Sequence, residues 1–288
     1  MEGFMSRSSH VLVGYDGTNE SERALRWAVE EARARRLPLT VCHAWRWPYP
    51  VSDVGHEGVA IVKRMGGHLL DHGVALARRA APSVTVRGTM AEGPADAALM
   101  HEGEGADLIV VGSHDRDELP VGSTALRLPA RARVPVLVVR RTATKYGKVV
   151  VGADGSRGGD AALGFAFEEA ALRGWGVRAV YGCWEAEAVG GDLALLCDDQ
   201  RLRELAGTRL ERAVAPWRVK YPHVETRTAL VLRPPRQALF EAAESADLLV
   251  VGDRGAGGFD PLRLGAVSGA VLQHVPCTVA VVPSAPRG

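Results

Sequence analysis

Several features that mark familiar protein classes are missing from this sequence. There are only four cysteines, Cys42, Cys183, Cys197 and Cys277, with no C-x-x-C pair and no histidine cluster beside them. This argues against a disulfide framework or a zinc site, and for small buried apolar thiols in a reducing compartment. No run approaches the roughly 18 apolar residues that span a bilayer. The first residues carry no apolar stretch of signal-peptide length, so the expected location is the cytoplasm, away from membranes. An excess of one charge is also lacking: 35 Lys+Arg against 34 Asp+Glu leave a formal +1. That speaks against a nucleic-acid partner. Two phosphate-binding motifs are absent as well. The Gly147-Lys148 pair runs straight into the apolar stretch Val149-Val150-Val151, so there is no G-x-x-x-x-G-K-[ST] loop. The first turn of the second half reads Gly152-Ala153-Asp154-Gly155, not G-x-G-x-x-G. An ordinary P-loop ATPase and a nicotinamide dehydrogenase are thereby set aside.

What is present is an internal repeat. The 288 residues suit about two domains, and 47% hydrophobic with 24% charged residues is an ordinary globular balance. Val11-Leu12-Val13-Gly14-Tyr15-Asp16-Gly17-Thr18 recurs as Val149-Val150-Val151-Gly152-Ala153-Asp154-Gly155-Ser156, 138 residues on. Ala106-Asp107-Leu108-Ile109-Val110-Val111-Gly112 recurs as Ala246-Asp247-Leu248-Leu249-Val250-Val251-Gly252, 140 residues on. Residues 135–139 match 278–282 at an offset of 143. Three matches in one order at nearly one offset indicate a duplicated domain, too long in period for a solenoid. The copies are placed at 8–141 and 147–284, joined by the polar segment 141–147.

Within the first copy, apolar runs alternate with helical patterns. Strands are expected at 10–15, 39–44, 84–86, 107–111 and 135–139. Helices are expected from the Thr18 cap for about 17 residues, and then near 57–80, 94–103 and 123–132. The second copy repeats this order. Nearly all-apolar strands alternating with helices predict an α/β fold: two tandem doubly wound, five-stranded parallel sheets of Rossmann-like type.

Ligands of such sheets bind beyond the carboxyl ends of the strands, at the switch in strand order. The richest segment there lies in the second copy. Gly252, Asp253, Arg254 and Gly255 follow a buried strand, and Gly265, Ala266, Val267 and Ser268 open a helix. Glycine lets backbone approach a phosphate, and a helix start offers unpaired N–H groups and a positive dipole end. The plainer alternative is a glycine-rich surface turn.

These residues carry a resemblance. The Val-Gly-x-Asp-Gly-[Ser/Thr] start and Ala-Asp-Leu-[Ile/Leu]-Val-Val-Gly core of each copy, with the Gly265-to-Val279 ending, resemble the tandem universal stress proteins. The likeness covers roughly residues 8–284. It implies an adenine nucleotide alpha hydrolase-like fold and ATP, with or without Mg²⁺, as ligand. ATP-binding members carry Gly, two residues, Gly, nine residues, Gly, then Ser or Thr. Gly252, Gly255 and Gly265 keep that spacing, but Ala266 replaces the hydroxyl; Ser268 matches a further hydroxyl position. By the same resemblance Asp154, next to Gly155, faces adenine or ribose, and Cys183 lies against the adenine at the position of Ala44, with Trp45 matching Trp184. An Asx-turn for Asp154 and a core role for Cys183 remain open beside these. Arg254 and Arg263 could neutralise phosphate or simply be solvated.

The first copy departs from the pattern. Asp115 replaces the second glycine, only six residues precede Gly122-Ser123, and Asp117 and Glu118 add charge. Weak or absent ATP binding is expected there. The leading expectation is therefore a non-catalytic, ATP-binding regulator with an unidentified protein partner. The alternatives are an interaction scaffold that has lost its nucleotide and a slow hydrolase relying on Asp253 or Asp260. Pairing of the two copies through their apolar closing strands, and a homodimer beyond that, complete the expectations.

Overall fold

The computed structural model describes residues 9–47, 56–113, 123–140, 145–183, 199–255 and 264–284. The Asp115 and Gly122 positions, the 256–263 segment with Asp260 and Arg263, Trp184, Cys197 and most of the joining segment lie outside the described residues. The chain divides into two units, 1–142 and 143–288.

The first unit contains β1 (Val11–Gly14), α1 (Asn19–Arg35), β2 (Leu39–Trp45), α2 (His56–Ala80), β3 (Val86–Glu92), α3 (Ala95–Glu102), β4 (Leu108–Gly112), α4 (Ser123–Arg131) and β5 (Val136–Val139). Its strand order is β3-β2-β1-β4-β5, with every neighbouring pair parallel. The chain runs outward from β1 to β2 and then returns to β4 on the other side. The crevice of the fold therefore opens above β1 and β4.

The second unit repeats this plan with β6 (Lys148–Gly152), α5 (Arg157–Arg173), β7 (Gly176–Gly182), α6 (Asp199–Lys220), β8 (Thr226–Val231), α7 (Pro235–Ala243), β9 (Leu248–Gly252), α8 (Ala266–His274) and β10 (Thr278–Val282). Its order is β8-β7-β6-β9-β10, again parallel throughout. Helices on both faces bury the central strands completely. Val11, Leu12 and Val13, like Val149, Val150 and Val151, are fully inaccessible to solvent. This is why the strands read as continuous apolar runs and not as alternating ones.

Both first helices start with a side-chain cap. The Thr18 hydroxyl accepts from Ser21 N, and the Ser156 hydroxyl accepts from Gly159 N. Each also carries a buried carboxylate one turn before its end: Glu31 meets Arg35 and Glu169 meets Arg173, both at 3.1 Å. The third strand starts later than the apolar pattern suggests, at Val86 and not at residue 84, and runs to Glu92. Val84 instead closes a turn onto Ala81 O. As an edge strand, β3 buries only Val86, so it lacks the apolar run that betrays its neighbours.

Candidate functional site

In the second unit, three backbone pieces among the described residues shape the crevice. The β6–α5 turn is shaped by Asp154, whose Oδ1 accepts from Ser156 N at 2.9 Å and from the Ser156 hydroxyl at 2.5 Å. Gly155, at φ +72°, supplies the left-handed residue this turn requires. The Asx-turn for Asp154 is thus realised. Its other oxygen, Oδ2, faces Gly255, where a Cβ would lie 2.6 Å away.

The second piece is the end of β9. Gly252 lies against the backbone of Gly158 in the first turn of α5; a Cβ on Gly252 would come within 2.6 Å of the Gly158 carbonyl. Gly158 in turn lies under the Arg254 carbonyl, 2.0 Å from where a Cβ would stand. Neither Gly252, Gly255 nor Gly265 has a positive φ. The glycines are needed here for close approach, not for unusual torsions.

The third piece is the start of α8. Gly265 N donates to Asp253 O at 2.9 Å, which draws the helix start onto the β9 loop. Among the described residues, no side chain caps this helix. Its first intrahelical bond is from Gly269 N to Gly265 O, so the N–H groups of Ala266, Val267 and Ser268 have no carbonyl one turn back. They open beside Gly255 at the positive end of the helix dipole.

The sequence-derived side chains divide accordingly. Gly252, Gly255, Gly265, Ala266 and Val267 contribute backbone to this cradle. Ser268 does not offer its hydroxyl as a replacement for the one missing at Ala266. It is buried and donates to Gly252 O at 2.7 Å. Asp253 is buried as well: Oδ1 accepts from Ser284 N at 3.0 Å, and Oδ2 pairs with Arg254 at 3.2 Å. Both carboxylate oxygens and the Arg254 guanidinium are thereby engaged within the loop. Among the described residues, no group of three His, Cys, Asp or Glu is arranged to hold a metal ion.

Cys183 needs a correction. Gly14 pairs with Cys42, and Gly152 with Val180. That register makes Gly182, not Cys183, the counterpart of Ala44, and sets Cys183 at the place of Trp45. Cys183 is buried, with its N–H bonded to Val231 O. Gly182 is pressed against α7, where a Cβ would lie 2.6 Å from the Cα of Pro235.

Two further residues emerge only from the geometry. Gly158 has Glu20 as its counterpart in the first copy. Arg209 of α6 lies across Gly155, its Nε 2.6 Å from a Cβ position there, and sets its charge near the Tyr181 hydroxyl. Burial raises the Tyr181 hydroxyl above its usual pKa, and the Arg209 charge partly opposes that. In the first copy, the residue lying across the matching Gly17 is Leu69.

The first unit holds a cavity of about 320 Å³ at its own switch point, between the ends of β1 and β4. Ala44, Ala95, Leu99 and Val111 form apolar wall, while Asp16 and Glu20 bring carboxylates. Burial pushes the Cys42 thiol, also in this wall, up to about 12. A larger cleft of about 430 Å³ lies at the opposite ends of the strands, lined by Arg33, Arg36 and Arg87.

Comparison with known proteins accounts for the duplication. The profile of the universal stress protein family matches residues 8–140 and again 145–283. A universal stress protein of Mycobacterium tuberculosis is 32% identical over 297 residues, covering 95% of this chain and 98% of that one. One from Mycolicibacterium smegmatis is 29% identical over 287 residues, covering 94% and 96%. The crystal structure of a universal stress protein from Archaeoglobus fulgidus shares the fold, with a TM-score of 0.71 over 98% of this chain and 100% of that one at 18% identity. Matched in both halves, and by relatives along nearly its full length, the chain belongs to the universal stress protein family.

Proposed function

We propose that the chain is a non-catalytic regulator that binds ATP in its second copy. The observation that carries this reading is the backbone cradle around Gly255: the uncapped first turn of α8 held by Gly265 N to Asp253 O, with Gly158 and Gly252 letting the loop close over α5. Such a cradle suits an anion by the N–H groups of its first helical turn and the helix dipole, without needing a cationic side chain. Asp154 Oδ2, beside Gly255, is placed to accept from a ribose hydroxyl or to meet Mg²⁺ carried by the nucleotide. Arg209, across the Gly155 turn, adds positive charge at the same edge.

When bound, ATP would supply a polyanion linking the α5 turn to the β9–α8 loop. The residues of this chain bind and orient it. The non-catalytic reading is supported by Asp253, whose two oxygens are committed to Ser284 N and Arg254 and are not free to take a proton from water. Regulation would follow from a bound state that a partner recognises differently from the free one. The test is mass spectrometry of nucleotide released from purified, denatured protein. ATP supports the regulator. Recovered ADP would point to hydrolysis, and an empty protein that also fails to take up added ATP would leave the interaction scaffold.

A further inference from the structure

We infer that the cleft at the amino ends of β2 and β3 in the first copy is an anion site, taking a small oxyanion of two or more negative charges. The cleft lies at the opposite strand ends from the switch-point crevice, so nothing in it depends on the nucleotide reading.

The cleft holds about 430 Å³, within the roughly 300–1,000 Å³ of small-molecule sites. Arg33 and Arg36, at the end of α1, line it together with Arg87, the second residue of β3. Among the described residues, none in this wall is Asp or Glu. Arg33 is paired with Glu30 outside the cleft. Arg36 and Arg87 have no ion pair or side-chain hydrogen bond among the described residues, and neither have the Ser83 and Thr85 hydroxyls in the same wall. Two uncommitted guanidinium forks beside two hydroxyls are donors in want of acceptors. That set matches the oxygens of phosphate or carboxylate groups.

The second copy shows what the same positions hold when they serve the fold alone. Arg36 and Gly174 are equivalent caps at the ends of α1 and α5, both left-handed, at φ +57° and +67°. Glycine adopts that conformation freely; arginine does not. Among the described residues, no other non-glycine has a positive φ. Thr85 and Glu225 are equivalent too: Leu39 N donates to Thr85 O at 2.9 Å, and Val177 N to Glu225 O at 2.8 Å. Glu225 holds Arg227 at 2.8 Å, and Arg227 is the second residue of β8 as Arg87 is of β3. The first copy therefore carries a cation where the backbone favours glycine, and lacks the carboxylate that neutralises its neighbour in the second. A strained residue kept beside an unneutralised charge marks a binding position. An anion held there would tie the end of α1 to the turn that enters β3.

Titration calorimetry with inorganic pyrophosphate, and separately with citrate, tests this at physiological salt, where diffuse attraction fades within about 8 Å. The full chain carries Gly255→Asp, so that the cradle of the second copy adds no anion site of its own. One anion per chain is expected; tighter pyrophosphate marks a phosphate site, and tighter citrate a carboxylate site. Arg36→Gly and Thr85→Glu each install the second copy's residue and should weaken binding at least about tenfold. Without anion, Arg36→Gly should keep or raise the melting temperature, because glycine relieves the left-handed cap; its lost binding is then not lost folding. Arg26→Ala removes the same charge from an exposed position on α1 outside the cleft and should change affinity by less than about twofold. No binding of either anion, binding unchanged in Arg36→Gly or Thr85→Glu, or an equal loss in Arg26→Ala overturns the anion site.

Discussion

Replacing Gly158 with alanine adds one methyl group where α5 meets the loop after β9. That methyl would stand 2.0 Å from the Arg254 carbonyl oxygen, whereas ordinary contact begins at 3.4 Å. The loop must therefore back away by about 1.4 Å, the difference between those two distances. Overpacking of this kind costs about 1–3 kcal/mol, and the better helix propensity of alanine returns about 1 kcal/mol. Net stability should fall by only about 0–2 kcal/mol. Affinity should suffer more. A displacement of that size carries a hydrogen bond beyond its working range. Losing a single bond to a charged group, about 1.5–3 kcal/mol, weakens ATP binding roughly 10- to 150-fold. Titration calorimetry measures the affinity, and scanning calorimetry measures the stability. Gly164→Ala is the matched control. It overpacks α5 against the Trp217 ring, 2.6 Å from its new Cβ, with no part in the cradle; it should lower stability and leave affinity alone. Equal ATP affinity in Gly158→Ala and the unmodified chain would refute the reasoning.

Two other perturbations probe the frame around the sites. Asp247 accepts three backbone N–H groups, from Lys145 at 2.6 Å, Tyr146 at 2.9 Å and Gly147 at 2.6 Å, and so ties the entry of the second copy to β9. Asp247→Ala should cost about 2–4 kcal/mol in urea unfolding, since each stranded donor is worth about 1–3 kcal/mol; a loss under about 0.5 kcal/mol would show that water replaces the carboxylate. Cys42 is 1% exposed, and burial holds its thiol at about 12. In the folded protein it should resist iodoacetamide at pH 8 and react only after denaturation, and labelling of Cys42 in the native chain, read by peptide mass, would contradict its placement.

The sequence made the layout legible because its central strands are buried on both faces and its helix starts are chemically marked. Thr18 announces α1, and the 17 residues expected after it are the 17 of Asn19–Arg35. The edge strand β3 was shifted by two residues because Val-Arg-Gly-Thr-Met-Ala-Glu has no apolar run to signal it. At the site, glycine spacing located the cradle, yet spacing does not say which atoms a side chain meets. Ser268 and Asp253 look like ligands in the sequence and are spent on Gly252 O, Ser284 N and Arg254. The repeated tryptophans, Trp45 and Trp184, suggested an alignment one residue off, which strand register corrects to place Gly182 opposite Ala44. Gly158 could have been found by laying Glu20 beside it at the 138-residue offset. Arg209 could not: α2 and α6 share no motif to anchor their comparison, and its contact with Gly155 spans 54 positions of sequence.

The central claim is that one ATP occupies each chain, in the second copy. Titration calorimetry of the intact chain, alone and as Gly255→Asp, tests it most directly. The substitution sets a Cβ 2.6 Å from Asp154 Oδ2 and brings a second carboxylate to the cradle. One site per chain, removed by Gly255→Asp while circular dichroism stays unchanged, is the predicted result. Two equivalent sites, or a single site indifferent to Gly255→Asp, would contradict the account.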